Sequence, residues 1–364
     1  MKQFKTSFTQ LLLKVVLGVS KVLNYIAKRV VLAAFTITAI SFLSFVIMQM
    51  PPGDYIDWYI LKTKHGETEH RGELASGVDI DILAERLRGE FGLDKPMLLQ
   101  WWDWYSSILF RGDFTGGVGE TTSGGLLVEI KYMFSKTLPP TILVAGATMI
   151  LTWLLAVPIG IYSAVRQHSI GDYVITFIGF SGLAVPDFLL GLVLMYVAYA
   201  YLDQNVGGFF SANYIAAPWS IAKARDLVSH LWIPAVVLGT SGTASLIRIM
   251  RNNLLDELAK PYVITARAKG VNPIWIIIKY PTRVAVNPLV STAGYLLPSL
   301  FSGSVIVSVV LSLPTMGPVL LAAIRQEDVY LAGFIIFVLG VLTVVGTLIS
   351  DILLVIIDPR IKYT

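Results

Sequence analysis

The chain has 364 residues, of which 55% are hydrophobic and only 14% charged, and its mean hydropathy is +0.70. That balance excludes an ordinary soluble enzyme and describes an all-α membrane protein with several crossings. Cysteine is absent, which removes disulfides, thiolate metal sites and cysteine nucleophiles together. The net charge of +4 matters by location, because the placement of Lys and Arg sets orientation in a bilayer.

In chain order, residues 1–29 predict an amphipathic helix lying in the membrane surface. Phe8, Leu11, Leu12, Val15, Val16 and Val19 recur at helical spacing, while Lys14, Lys21 and Lys28 share another face. A signal peptide is the competing reading, but Lys14 and Lys21 interrupt the apolar stretch. A crossing needs roughly 20 mainly apolar residues, and six segments qualify: about 30–50, 139–165, 173–201, 230–250, 286–312 and 331–357. Six crossings put both termini on one side. That side collects the N-terminal lysines, Arg166, a basic loop at 251–285 and the tail at 358–364 with Arg360 and Lys362, so the positive-inside rule makes it cytoplasmic. The opposite side receives a large acidic loop at 51–138, with Glu67, Glu69, Glu73, Asp79 and Asp81.

The loop at 251–285 is long for a connection. Leu254 to Lys269 suits one helix, Gly270 can end it in a left-handed conformation, and Asn272 followed by Pro273 is a good N-cap and first-turn pair for a second. Trp275, Ile276, Ile277 and Ile278 form an apolar knob bounded by Lys279, Pro281 and Arg283. Such an elbow fits either a groove on a soluble partner or the bilayer headgroups. The chain carries no G-x-x-x-x-G-K-[ST] phosphate loop and no H-E-x-x-H or G-x-S-x-G pattern, so no catalytic residue and no metal ligand set is assigned.

TARAKG at Thr265, Ala266, Arg267, Ala268, Lys269 and Gly270, with Arg283 and Pro288 downstream, resembles the coupling-loop signature of B-type permeases of the dipeptide, oligopeptide and nickel ABC importers. The resemblance runs along nearly the whole chain. It includes MPPGDY at 50–55, FGLDKP at 91–96, RGDF at 111–114, KTLPPTI at 136–142, AVPDF at 184–188 and IDPRIKY at 357–363. It implies the type I importer fold, with the elbow as the coupling helix. It also implies a second homologous permease, two cytoplasmic ATPase subunits carrying ATP and Mg, and an extracellular or periplasmic solute-binding protein. No cofactor on this chain and no nucleic acid partner is implied. The expected location is a bacterial or archaeal plasma membrane.

Peptide is the leading solute class and oligosaccharide the runner-up. The sequence departs from the family where Ser308, Leu311, Leu313 and Thr315 stand in place of its usual Glu, Phe, Trp and Gly, near the expected outer end of the path. Asp187, with Phe188 beside it, sits mid-span, where an ionisable group is costly and faces a cavity or a partner. It lines the path, bonds backbone freed by Pro186, or pairs with the second permease subunit. QWWDWY supplies Trp101, Trp102, Trp104 and Tyr105, which suit either an interfacial belt or stacking on a sugar. His65 and His70 lie among acidic neighbours and are read as part of a solvated loop rather than as a metal site. A different class of protein, an autonomous transporter working through Asp187, or a membrane scaffold, would not need the elbow's ATPase contact.

Overall fold

The computed structural model describes residues 26–47, 49–50, 56–57, 80–90, 93–111, 135–202, 204, 207–325 and 329–357. The amphipathic N-terminal stretch, most of the acidic loop with His65 and His70, and the DPR tail lie outside the described residues. The described elements are helical. They are α1 (Ile26–Ile47), α2 (Ile80–Glu90), α3 (Met97–Ser106), α4 (Leu138–Val165), α5 (Ile170–Ala184), α6 (Asp187–Leu202), α7 (Ile221–Leu258), α8 (Pro261–Ala268), α9 (Pro273–Lys279), α10 (Pro281–Ala285), α11 (Asn287–Val310), α12 (Met316–Arg325) and α13 (Val329–Ile357).

Four of these, α1, α4, α7 and α13, are each long and apolar enough to cross a membrane, and α5 with α6 passes as one bent pair. The 24-residue α11 is about 36 Å long at 1.5 Å per residue. Two sequence expectations change. The segment 173–201 is not one straight span: α5 and α6 meet at 107°. Pro186 disfavours helical geometry at the residue before it, so Val185 is extended at φ −86° and ψ 127°, and the Pro186 carbonyl then accepts from the amides of Leu189 and Leu190 to start α6. Likewise Leu254 to Lys269 is not one helix. α7 runs on to Leu258, and Pro261 opens a separate α8, because proline has no amide to continue the ladder. At 38 residues, α7 reaches about 57 Å and projects well past a hydrocarbon core of about 30 Å.

Packing centres on α4 against α7. The contact face of α4 carries Ala145, Thr148, Thr152, Ala156, Gly160 and Ala164, all buried. Small side chains let two helix backbones approach where lipid gives no hydrophobic drive. The approach is close. A Cβ on Gly160 would lie 2.7 Å from the Cβ of Met250, and one on Gly239 would lie 2.9 Å from Thr152 Oγ1. Around this seam, one apolar cluster joins α4, α6, α7 and α11 through Val144, Ala198, Val237 and Val307. Another, at the elbow end, joins α4, α7, α10 and α11 through Ala164, Met250, Leu254, Ala285 and Leu289. A third gathers α1, α2, α3, α12 and α13 around Phe45, Leu83, Trp104 and Phe334. Thr141 joins the layers: its hydroxyl donates to the Thr137 carbonyl at 2.7 Å and accepts from the Met316 amide at 2.9 Å.

Candidate functional site

The elbow is built by local rules that the sequence announces. At the end of α8 the Gly270 amide reaches the Arg267 carbonyl at 3.0 Å and the Val271 amide reaches the Ala266 carbonyl at 3.4 Å. With Gly270 at φ +72°, this is a Schellman ending, which satisfies the last carbonyls of the helix. Asn272 Oδ1 then accepts from the Ile274 amide at 2.9 Å, and Pro273 takes the first helical position of α9. Thr265 and Ala268 lie within α8, ahead of the Gly270 turn.

The knob divides in two. Ile276 is buried, at 1% exposure, whereas Ile274, Trp275 and Ile278 are exposed at 66%, 63% and 56%. Arg267, Lys269, Lys279 and Arg283 are exposed around them, so an apolar tip stands inside a basic rim. Behind the tip, Val263, Pro281 and Ala285 are buried. Tyr262 donates its hydroxyl to Glu257 Oε2 at 2.5 Å, tying α8 to the end of α7. Burial first and the Glu257 carboxylate second push the Tyr262 phenol well above its ordinary range. The elbow is therefore a rigid projection rather than a strap.

A charged node that the sequence reading did not assemble stands beside it. Asp172, 3% exposed, accepts from Arg251 through both nitrogens of the fork, Nε at 3.1 Å and a terminal nitrogen at 3.0 Å. It also accepts from the His168 amide at 3.0 Å and from the Ser163 hydroxyl. Ser169 caps α5 by accepting from the Asp172 amide at 3.2 Å. The only sequence signal was an aspartate at a helix start and an arginine 79 positions on, a separation that no local pattern spans. A cavity of about 470 Å³ lies against the node, lined by Tyr173, Thr176, Gly179, Ala244, Arg248 and Asn252 among others.

The other sequence candidates are dispersed. Asp187 is half-buried in the first turn of α6, where a carboxylate suits the helix dipole, and Phe188 is 42% exposed. Ser308 is fully buried, and its hydroxyl has no hydrogen-bond partner among the described residues. In the aromatic stretch, Trp104 and Tyr105 are buried while Trp102 is half exposed. Tyr105 stacks on Trp101 at 5.5 Å and shares a hydrogen bond with Thr38 at 2.8 Å. Trp101 donates to Ser41 at 3.1 Å, and Trp104 meets Phe337 edge-on at 5.4 Å. These rings join α3 to α1 and α13.

At the start of α7 the sequence reading also passed over Lys223. Its ammonium is buried, donating to the Ala217 carbonyl at 2.6 Å and lying 4.8 Å from the Phe210 ring centre and 5.5 Å from that of Trp219. A cation so enclosed by carbonyls and ring faces fixes the segment that precedes α7. Asp226 assists by accepting from the Ser211 amide at 2.8 Å and its hydroxyl at 2.6 Å.

Comparison with known proteins places this arrangement. Residues 156–363, the part containing the elbow and the charged node, match the model of the binding-protein-dependent transport system inner membrane component. The oligopeptide transport system permease protein AppB of Bacillus subtilis (strain 168) is 32% identical over 339 residues, covering 93% of this chain and 99% of that protein. A putative peptide permease protein of Brucella ovis is 30% identical over 345 residues, covering 94% and 100%. The glutathione transport system permease protein GsiC of Escherichia coli (strain K12) is 29% identical over 344 residues, covering 94% and 99%. The chain is thus a multi-pass membrane protein that belongs to the family of binding-protein-dependent transport system inner membrane components, the permeases of ABC importers.

Proposed function

We propose that this chain forms half of the translocation pathway of an ATP-driven importer of peptides. The observation that carries the reading is the end-to-end likeness to permeases named for oligopeptide, peptide and glutathione transport. The elbow supports it physically. A rigid, basic-rimmed apolar tip is the shape of a helix-in-groove contact, and the groove belongs to an ATPase subunit that binds ATP and Mg. Thr265 to Gly270, Asn272, Pro273 and Arg283 shape and rim that contact.

In this reading the chain crosses the membrane six times, with the α5–α6 pair and α11 as the third and fifth crossings. Both termini and the elbow face the cytoplasm, and residues 51–138 form the outer loop. A second homologous permease completes the pathway, two ATPases drive it, and a binding protein delivers solute from outside. Asp187 and Phe188, at the break between α5 and α6, face the path. Among the described residues no side chain pairs with the Asp187 carboxylate, which leaves it open to the path or to the second permease. The oligosaccharide alternative is weakened on one count, since Trp104 and Tyr105 of the aromatic stretch are engaged in packing.

The test is reconstitution with the co-purified second permease, ATPases and binding protein in liposomes, followed by uptake of labelled peptides. Uptake that requires ATP inside and loaded binding protein outside is the expected result. Uptake that survives ATP depletion and collapses with an ionophore would replace the importer by a gradient-coupled transporter.

A further inference from the structure

Helix α5 is held to the rest of the chain in an unusual way. Among its described side chains, Asp172 is the only buried one, while Tyr173, Val174, Phe177 and Ile178 are exposed at 62%, 49%, 72% and 62%. Higher up, α5 touches α7 through glycines. A Cβ on Gly179 would meet the Ala244 methyl at 3.6 Å, and one on Gly182 would come within 2.6 Å of Thr240. At this crossing the glycines let the two helices come close without a large side chain of α5 between them. The foot of α5 is different. There Asp172 is gripped by both arms of Arg251, by the Ser163 hydroxyl and by the His168 amide.

Two further features single out that foot. His168, in the turn between α4 and α5, stands at φ +62° without being glycine, a conformation that persists only where its surroundings hold it. Its amide is one of the four donors to Asp172. A buried ion pair is weak evidence for stability, because desolvation offsets much of its attraction, but it fixes register sharply. Arg251 lies seven residues before the end of α7 at Leu258, on the projecting stretch that leads into the elbow. α10 packs back on this stretch through Ala285, Leu254 and Met250.

We infer that Asp172 and Arg251 form a clamp that makes the foot of α5 move as one body with the elbow. A displacement of the elbow is then carried along α5 to the break at Val185–Pro186, where Asp187 begins α6. The two are positioning residues: neither need touch the solute or the ATPase. Small shifts are passed on by packed elements that have discrete arrangements and by hinges at element ends, and α5 is gripped at its foot and ends at the Val185–Pro186 break. The inference rests on the importer reading, in which the elbow is what moves.

The test uses the whole transporter complex. The chain has no native cysteine, so spin labels can be placed at Phe177→Cys on the exposed face of α5 and Asp256→Cys on the projecting end of α7. With the clamp intact, the distance between labels is expected to be the same in nucleotide-free and ATP-trapped complexes. With Asp172→Asn it is expected to shift or broaden on ATP binding. Uptake should fall about tenfold, within the usual range of a coupling free energy, while ATP hydrolysis per assembled complex holds at the parental level. Arg251→Lys keeps the charge but loses the fork and is expected to fall between, and it keeps the question open to measurement should Asp172→Asn assemble poorly.

Labels that move apart on ATP binding in the clamp-intact complex would overturn the inference. So would normal uptake by Asp172→Asn, or uptake and hydrolysis falling together in proportion to the complex recovered, which is the mark of a merely structural pair. Failure of the importer reading looks different: the parent complex itself would show no ATP-driven uptake, while the label distances would still compare the foot of α5 with and without its clamp.

Discussion

Gly270 offers the sharpest perturbation of the elbow because its cost comes from one source. A Cβ added there meets nothing within 4 Å, yet the backbone stands at φ +72°. Replacing it therefore causes no clash with a neighbour and charges only the left-handed conformation, roughly 1–2 kcal/mol for an ordinary L-residue and more for a β-branched one. That is about a 5- to 30-fold loss in the population of the native turn. Where the chain leaves that turn, the amides now paired with Arg267 and Ala266 are freed. The predicted order of ATP-driven uptake is Gly270, then Asn, then Ala, then Val, since asparagine tolerates this region best among the substitutes. Uptake in liposomes and retention of the ATPases in a mild-detergent pull-down should fall in that same order, with membrane insertion unchanged. If Gly270→Val retained full uptake, or if Asn and Val behaved alike, the turn geometry would not be what positions the tip.

The remaining expectations concern packing, the aromatic group, the elbow's root and the break. Gly160→Leu should lower thermal stability in detergent by about 1–3 kcal/mol, since side-chain atoms must be forced between α4 and Met250; an unchanged melting curve would deny the close seam. Trp104→Ala should cost about 3–5 kcal/mol and Tyr105→Phe about 0.5–1.5 kcal/mol, whereas Trp102→Ala, at a half-exposed ring, should leave the melt within about 0.5 kcal/mol. The Tyr262 phenol is raised in the folded protein, so the unfolded chain ionises first. The stability that Tyr262 adds over Tyr262→Phe is therefore complete below the ordinary phenol value of about 10 and declines as pH rises beyond it. Paired melts across that window read the difference. Asp187→Asn should alter which peptides are taken up while leaving the recovery of the complex unchanged; loss of the complex would assign the carboxylate a structural role.

Where a feature depends on a residue and its near neighbours, the sequence by itself determined it. Apolar runs of spanning length mark membrane helices because the bilayer core demands internally satisfied backbone. Gly270 and the Asn272–Pro273 pair fix the elbow because caps act over three or four residues. The order of motifs from MPPGDY to IDPRIKY, TARAKG among them, carried the family.

Only the tertiary structure decided the rest. Ile276 and Trp275 are adjacent and equally apolar, yet one is buried and the other exposed, because burial depends on which face α9 turns to the chain behind it. The aromatic stretch could have faced a solute, but α1 and α13 supply Thr38, Ser41 and Phe337 as partners. Pro186 announced a perturbation without saying that the chain would turn through 107°. Asp172 and Arg251 come together across 79 residues only because α5 folds back along α7, and no local propensity encodes a meeting that helix packing brings about.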